Sequence, residues 1–192
     1  RGNDPPAISH HDSVARASAR ADRPTQRKPR AVPFTPFHLG PGLAFKALGG
    51  AGFSFMVFGG TQVLMALEPG IRMLLDAPPL HGPSHSLVGA VGIGAVAVLT
   101  GKPITELVLR RAGWRHWRVG WTAAATGAFV GSVSHVLLDA VMHSDVHPFF
   151  PFARANPGYA LLSMDGLHAL CLALGVLGLG GIGLRVLLRR LG

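Results

Sequence analysis

An all-α integral membrane protein, with about four transmembrane helices and a short N-terminal membrane-embedded or amphipathic helix, is what this 192-residue sequence implies. Hydrophobic residues make up 48% of it and charged ones only 14%, with a mean hydropathy of +0.36; soluble domains are nearer a quarter charged. The apolar residues gather in long uncharged runs separated by proline-rich or arginine-rich stretches. The net charge of +9 is segregated into a tail, one loop and the carboxyl end. So placed, it sets topology and meets anionic lipid, and no nucleic-acid partner is expected.

Residues 1–36 hold seven Arg or Lys, three Asp and no sustained apolar periodicity, which reads as a basic extended or disordered tail that lies on lipid or on a larger membrane protein complex. Residues 37–192 form the helical membrane domain. Its first unit, Thr35-Pro36-Phe37-His38-Leu39-Gly40-Pro41-Gly42, leads into a half-helix over 39–50 that Gly49 and Gly50 interrupt. Residues 51–67 carry no charge and make the first span, with Gln62 as a polar exception that serves a helix–helix hydrogen bond or a site.

Residues 68–84 read as a connection because of Pro69, Pro78, Pro79 and Pro83, with a short helical piece over 70–76. Residues 85–99 are the second span, and 101–118 a basic loop with five positive charges against Glu106, edged by Trp114, Trp117 and Trp121 at headgroup level. The third span covers 119–141. A second connection, 142–165, contains Pro148, Pro151 and Pro157. The last span covers 166–184, apolar except for His168, before Arg185, Arg189 and Arg190. Cys171 is the single cysteine, so an intrachain disulfide and a cysteine-rich metal site are excluded.

Charge sets the expected orientation. The tail, the 101–118 loop and the carboxyl end are basic, whereas both proline-rich connections are slightly acidic. The positive-inside rule then puts both chain ends in the cytoplasm of a bacterial inner membrane and the histidine-rich face on the periplasmic side. A full crossing by residues 39–50 would move the tail alone.

Chemistry is concentrated on that face. Taken singly, each histidine reads as structural, but seven lie outside the tail and the basic loop in a chain with only nine Asp and Glu. His135 and Asp139 stand four apart on a helix and share a stripe, with His143 one further turn on. His81 and His85 stand four apart at the start of the preceding span, which antiparallel packing brings to the same depth. Imidazoles with a carboxylate and no thiolate suit a divalent metal, Zn first and Mn or Fe as alternatives, in a mononuclear or dinuclear site. Asp145 and His147 precede Pro148 and leave the helix. Arg72 and Arg154, one in each connection, are the side chains able to bind an anion such as phosphate.

His81-Gly82-Pro83-Ser84-His85-Ser86, together with Ser134-His135-Val136-Leu137-Leu138-Asp139, His143 and Pro148-Phe149-Phe150-Pro151-Phe152, resembles the bacterial and archaeal inner-membrane metal-dependent hydrolases of the YdjM-like, LexA-binding family. The resemblance covers roughly residues 35–165 and includes Phe37-His38 and Glu68-Pro69. It implies a multi-span helical protein in which His38, His81, His85, His135 and Asp139 match the family's metal-ligand positions. The chain departs in its long basic tail and at Gln62, where some relatives are expected to be acidic, which counts against a second metal.

The resemblance implies a hydrolase, with the membrane depth of the site favouring a phosphoester or similar bond of an amphiphilic substrate. Glu68 or Asp145 would handle protons. The competing reading is a noncatalytic small subunit of a larger membrane complex, assembled through the tail and small-residue helices. A metal or proton transporter is a weaker third reading, because Gln62, Thr122, Thr126, Ser132 and Ser134 are the only polar residues toward the other side.

Overall fold

The computed structural model describes residues 36–192, and the reading of residues 1–35 as a basic tail lies outside it. Among the described residues there are five α-helices: α1 (Leu39–Gly49), α2 (Phe55–Leu74), α3 (Leu87–Arg111), α4 (Trp121–Met142) and α5 (Met164–Leu191), with 3-10 turns at Pro36–His38, Gly50–Gly52 and Pro83–His85. Three of these, α3, α4 and α5, are long and apolar enough to cross a membrane. Serine starts three helices: Ser54 accepts from the Val57 amide at 3.3 Å, Ser86 from Gly89 at 3.0 Å and Ser163 from Gly166 at 3.1 Å. Each satisfies one of the amides a helix start leaves unpaired. At the other end of α1, Gly50 adopts φ +52° and Lys46 Nζ caps the Gly50 and Phe53 carbonyls.

Two helices run further than expected. The stretch from Glu68, read as a connection, continues α2 to Leu74. Pro69 forfeits one helical hydrogen bond there, but its ring is fully buried and Glu68 pairs with Arg72 one turn on at 2.9 Å. Likewise α3 continues through the first half of the expected basic loop, past Pro103 to Arg111. Glu106 anchors this extension by accepting from Lys102 Nζ at 2.7 Å and from the Val119 amide at 3.1 Å. Charge and proline masked the helical continuation in both cases.

Small residues set how closely the helices approach. Ala90, Ala97, Ala124 and Ala128 are buried in the seams among α2, α3 and α4. α5 packs chiefly on α1, where a Cβ at Gly40 would collide with the Cys171 carbonyl and one at Gly178 with the Leu43 and Ala44 backbone. Apolar side chains such as Leu172, Val176 and Leu177 remain exposed on α5, the surface that lipid would cover.

The bundle has a histidine end and a basic end. His38, at the start of α1, lies beside Asp139, whereas Leu48, at its finish, accepts from Arg185 at 3.0 Å and the Ser54 amide reaches the Ala123 carbonyl at 2.9 Å. Residues 39–54 therefore traverse the depth that separates Asp139 from Ala123 on α4, roughly 24 Å. Pro36 lies at the histidine end and Leu191 at the basic end. Of the two paths the sequence left open for residues 39–50, the described residues follow the one that runs the length of the bundle. The histidine end gathers the starts of α1, α3 and α5, the ends of α2 and α4, and both proline-rich connections.

Candidate metal centre

Asp139 lies one turn from the end of α4, 3% exposed, and four imidazoles surround its carboxylate. Its Oδ2 lies 3.2 Å from His135 Nε2, 3.3 Å from His85 Nε2 and 3.8 Å from His81 Nε2, and its Oδ1 lies 3.6 Å from His38 Nε2. The i, i+4 spacing delivers His135 from the same helix face. The tight Pro83–His85 turn, with Leu87 N held by Pro148 O at 2.8 Å, swings His81 and His85 across from the top of α3.

What lies behind each ring identifies the atom that faces Asp139. Gln62 donates Nε2 to the Gly131 carbonyl at 3.1 Å, so its Oε1 is turned to His135 Nδ1, 2.6 Å away, and must accept from it. Asp145 Oδ1 lies 2.9 Å from His81 Nδ1 while its Oδ2 accepts from the Leu80 and His81 amides. Ser84 donates its hydroxyl to Glu68 Oε2, leaving its oxygen to accept from His85 Nδ1 at 2.9 Å. As neutral imidazoles, all three rings thus carry their proton on Nδ1. Their bare Nε2 lone pairs converge on one carboxylate oxygen, and those of His85 and His135 are fully buried without a hydrogen-bond partner, as is Nε2 of His38.

Acceptors facing acceptors in a dry site repel unless a metal ion or a ring proton lies between them. Taken one at a time, the separations of 3.2 and 3.3 Å are close to the distance of about 3.3 Å between two atoms that each lie about 2.0–2.1 Å from one ion, as nitrogen and oxygen ligands of zinc do. His38, His135 and Asp139 form one cluster able to hold an ion, His81, His85 and Asp139 a second, and His81, His143 and Asp145 a third, nearer the surface. The buried His and Asp cluster is a candidate site for a divalent metal in a membrane-spanning helical protein.

No family model matches the chain, and no curated protein or solved structure does so either.

The other residues singled out in the sequence fall into place around this cluster. The His143 ring lies against that of His81, tilted by 31° with centroids 4.4 Å apart. Glu68 and Asp145 hold the outer sides of His85 and His81: Glu68 touches Ser84 and Arg72, one residue removed from the converging nitrogens. Burial works against the Asp145 carboxylate, but the His81 ring and amide outweigh it and hold its pKa below the usual range. Burial, reinforced by His85, lowers the His81 pKa below 6.5 despite Asp139 and Asp145, which keeps the ring neutral for ligation. Gln62 serves both readings offered for it, since one amide end ties α2 to α4 and the other orients His135. His168 stacks on Phe37 at 4.3 Å, apart from the cluster. Ser84 was missed; only its place between two histidine positions hinted at it.

Proposed function

We propose that the protein is a membrane-embedded, divalent-metal-dependent hydrolase acting on a phosphoester or similar bond of an amphiphilic substrate. The observation that carries this reading is the convergence of bare, buried imidazole nitrogens on Asp139. His38, His135 and Asp139 would hold the ion, zinc by the chemistry of the set, with His81 and His85 completing its surroundings. Bound there, a divalent ion supplies Lewis acidity and makes a water acidic enough to attack near neutral pH. Gln62, Asp145 and the Glu68–Ser84 pair keep the ring protons on Nδ1, so that each histidine presents a lone pair. Asp145, about a third exposed, is the carboxylate placed to exchange a proton with solvent.

The resemblance to YdjM-like hydrolases supports the same reading, and membership of that family is proposed on those motifs alone. The proposed topology has α2 to α5 as four spans, with residues 39–54 as a further crossing, in a bacterial inner membrane. Lys102, Arg110, Arg111, Arg115, Arg118, Arg185, Arg189 and Arg190 all lie at the basic end, which supports placing that end in the cytoplasm and the metal centre on the periplasmic side.

The test is metal analysis of the purified full chain beside His135→Ala and Asp139→Asn, with turnover of a long-chain chromogenic phosphoester. The expected result is bound zinc and turnover in the wild type and loss of both in the variants. Undiminished metal in both variants would overturn the ligand set. Metal without turnover would overturn the hydrolase in favour of a noncatalytic subunit.

A further inference from the structure

Beside the metal centre, and sharing His81 with it, is a cavity of about 250 Å³ whose wall includes Arg72, Gly82, His147, Phe150 and Arg154. Its polar side chains are two guanidiniums and two imidazoles, with no carboxylate among them. Arg72 uses Nε on Glu68 and Nη1 on the Pro79 carbonyl, which leaves several of the five N–H groups of a guanidinium without a described partner. Arg154 makes no ion pair with a described residue, and Nδ1 of His147 is buried with no hydrogen-bond partner among them. Gly82 has a local reason as well: a Cβ there would collide with the Glu68 carboxylate and with Arg72. The glycine thus lets the His81–His85 turn pack directly on the ion pair that steers Arg72.

Two guanidiniums and an imidazole with spare hydrogen-bonding capacity fit a tetrahedral oxyanion, which offers acceptors on every face. The remaining wall is apolar, from Pro79, Pro83 and Phe150. Around it Leu74, Leu75 and Phe152 are more than two-thirds exposed at this end of the bundle, where a membrane's headgroup layer meets its acyl chains. We infer that this cavity is a phosphate subsite, in which Arg72, His147 and Arg154 hold the phosphate of a lipid-soluble molecule whose chain remains in the bilayer. That this phosphate belongs to the substrate rests on the hydrolase reading; its binding does not.

The experiment is calorimetric titration of the full chain in phosphatidylcholine nanodiscs, zinc-loaded and after EDTA treatment, with short-chain phosphatidic acid and with inorganic phosphate. Phosphatidic acid is expected to bind both forms, and Arg154→Gln to weaken it about tenfold or more at unchanged metal content. Arg154→Lys should restore only part, because an ammonium cannot make the forked contact. Inorganic phosphate binding as tightly, with the same Arg154 dependence, would keep the subsite and make its ligand a small soluble phosphate. Equal binding by wild type and Arg154→Gln, no binding at all, or binding abolished by EDTA would overturn the subsite. Failure of the hydrolase reading would appear instead as absent metal or turnover with Arg154-dependent phosphate binding intact.

Discussion

Gln62 is neutral and lies mid-helix, yet it determines which nitrogen of His135 faces Asp139, because Gly131 holds its amide the right way round. Gln62→Leu keeps the volume and removes the acceptor, so the ring loses its reason to keep the proton on Nδ1. Zinc affinity should fall about 10- to 100-fold, the usual cost of losing a metal ligand's supporting hydrogen bond, while Gln62→Glu retains an acceptor and most of the affinity. Competition against a chromogenic chelator measures both, and unchanged affinity in Gln62→Leu would mean the ring is oriented by packing alone. At this scale the sequence was partly legible. The His135 and Asp139 pair follows from i, i+4 spacing, as does the link between His81 and His85 from proximity. The Ser84 relay was not legible, because a serine hydroxyl acquires a partner only when the end of α2 is brought under the start of α3.

Between elements, glycine controls the one joint that carries His38 into the site. α1 is short and leans on α5, with Gly178 opposite the Leu43 and Ala44 backbone. Gly178→Leu must push the helices apart, an overpacking of about 1–3 kcal/mol, and the movement reaches His38 through α1. Thermal unfolding in detergent should show a lower midpoint together with weaker zinc binding. Gly180→Ala, where nothing lies within 4 Å of the added Cβ, serves as the neutral control; equal effects at the two positions would refute the close-approach account. Element boundaries were the least legible part of the sequence. α2 and α3 run through Pro69 and Pro103, which oppose a helix, and through Glu68 and Lys102, which interrupt an apolar run; the Glu68–Arg72 and Lys102–Glu106 ion pairs and the burial of Pro69 belong to the folded bundle.

For the molecule as a whole, sidedness is the property on which the proposed substrate access depends. Ser144 and Arg115 are both exposed, in the connections at opposite ends of the bundle. In intact cells a membrane-impermeant maleimide should label Ser144→Cys, and Arg115→Cys only after permeabilisation, with buried Cys171 unreactive in both. The reverse pattern would place the metal centre toward the cytoplasm. Composition and periodicity determined the class of this protein, its apolar helices and the shared depth of its histidines, since spacing along a helix and segregation of charge are local properties readable without coordinates. Only the tertiary structure decided that residues 39–54 traverse the bundle, that three histidines turn bare nitrogens toward one carboxylate, and that Arg72 and Arg154 meet in one cavity. Those are relations between distant segments, set by how closely small residues let the helices pack and by which buried polar groups find partners.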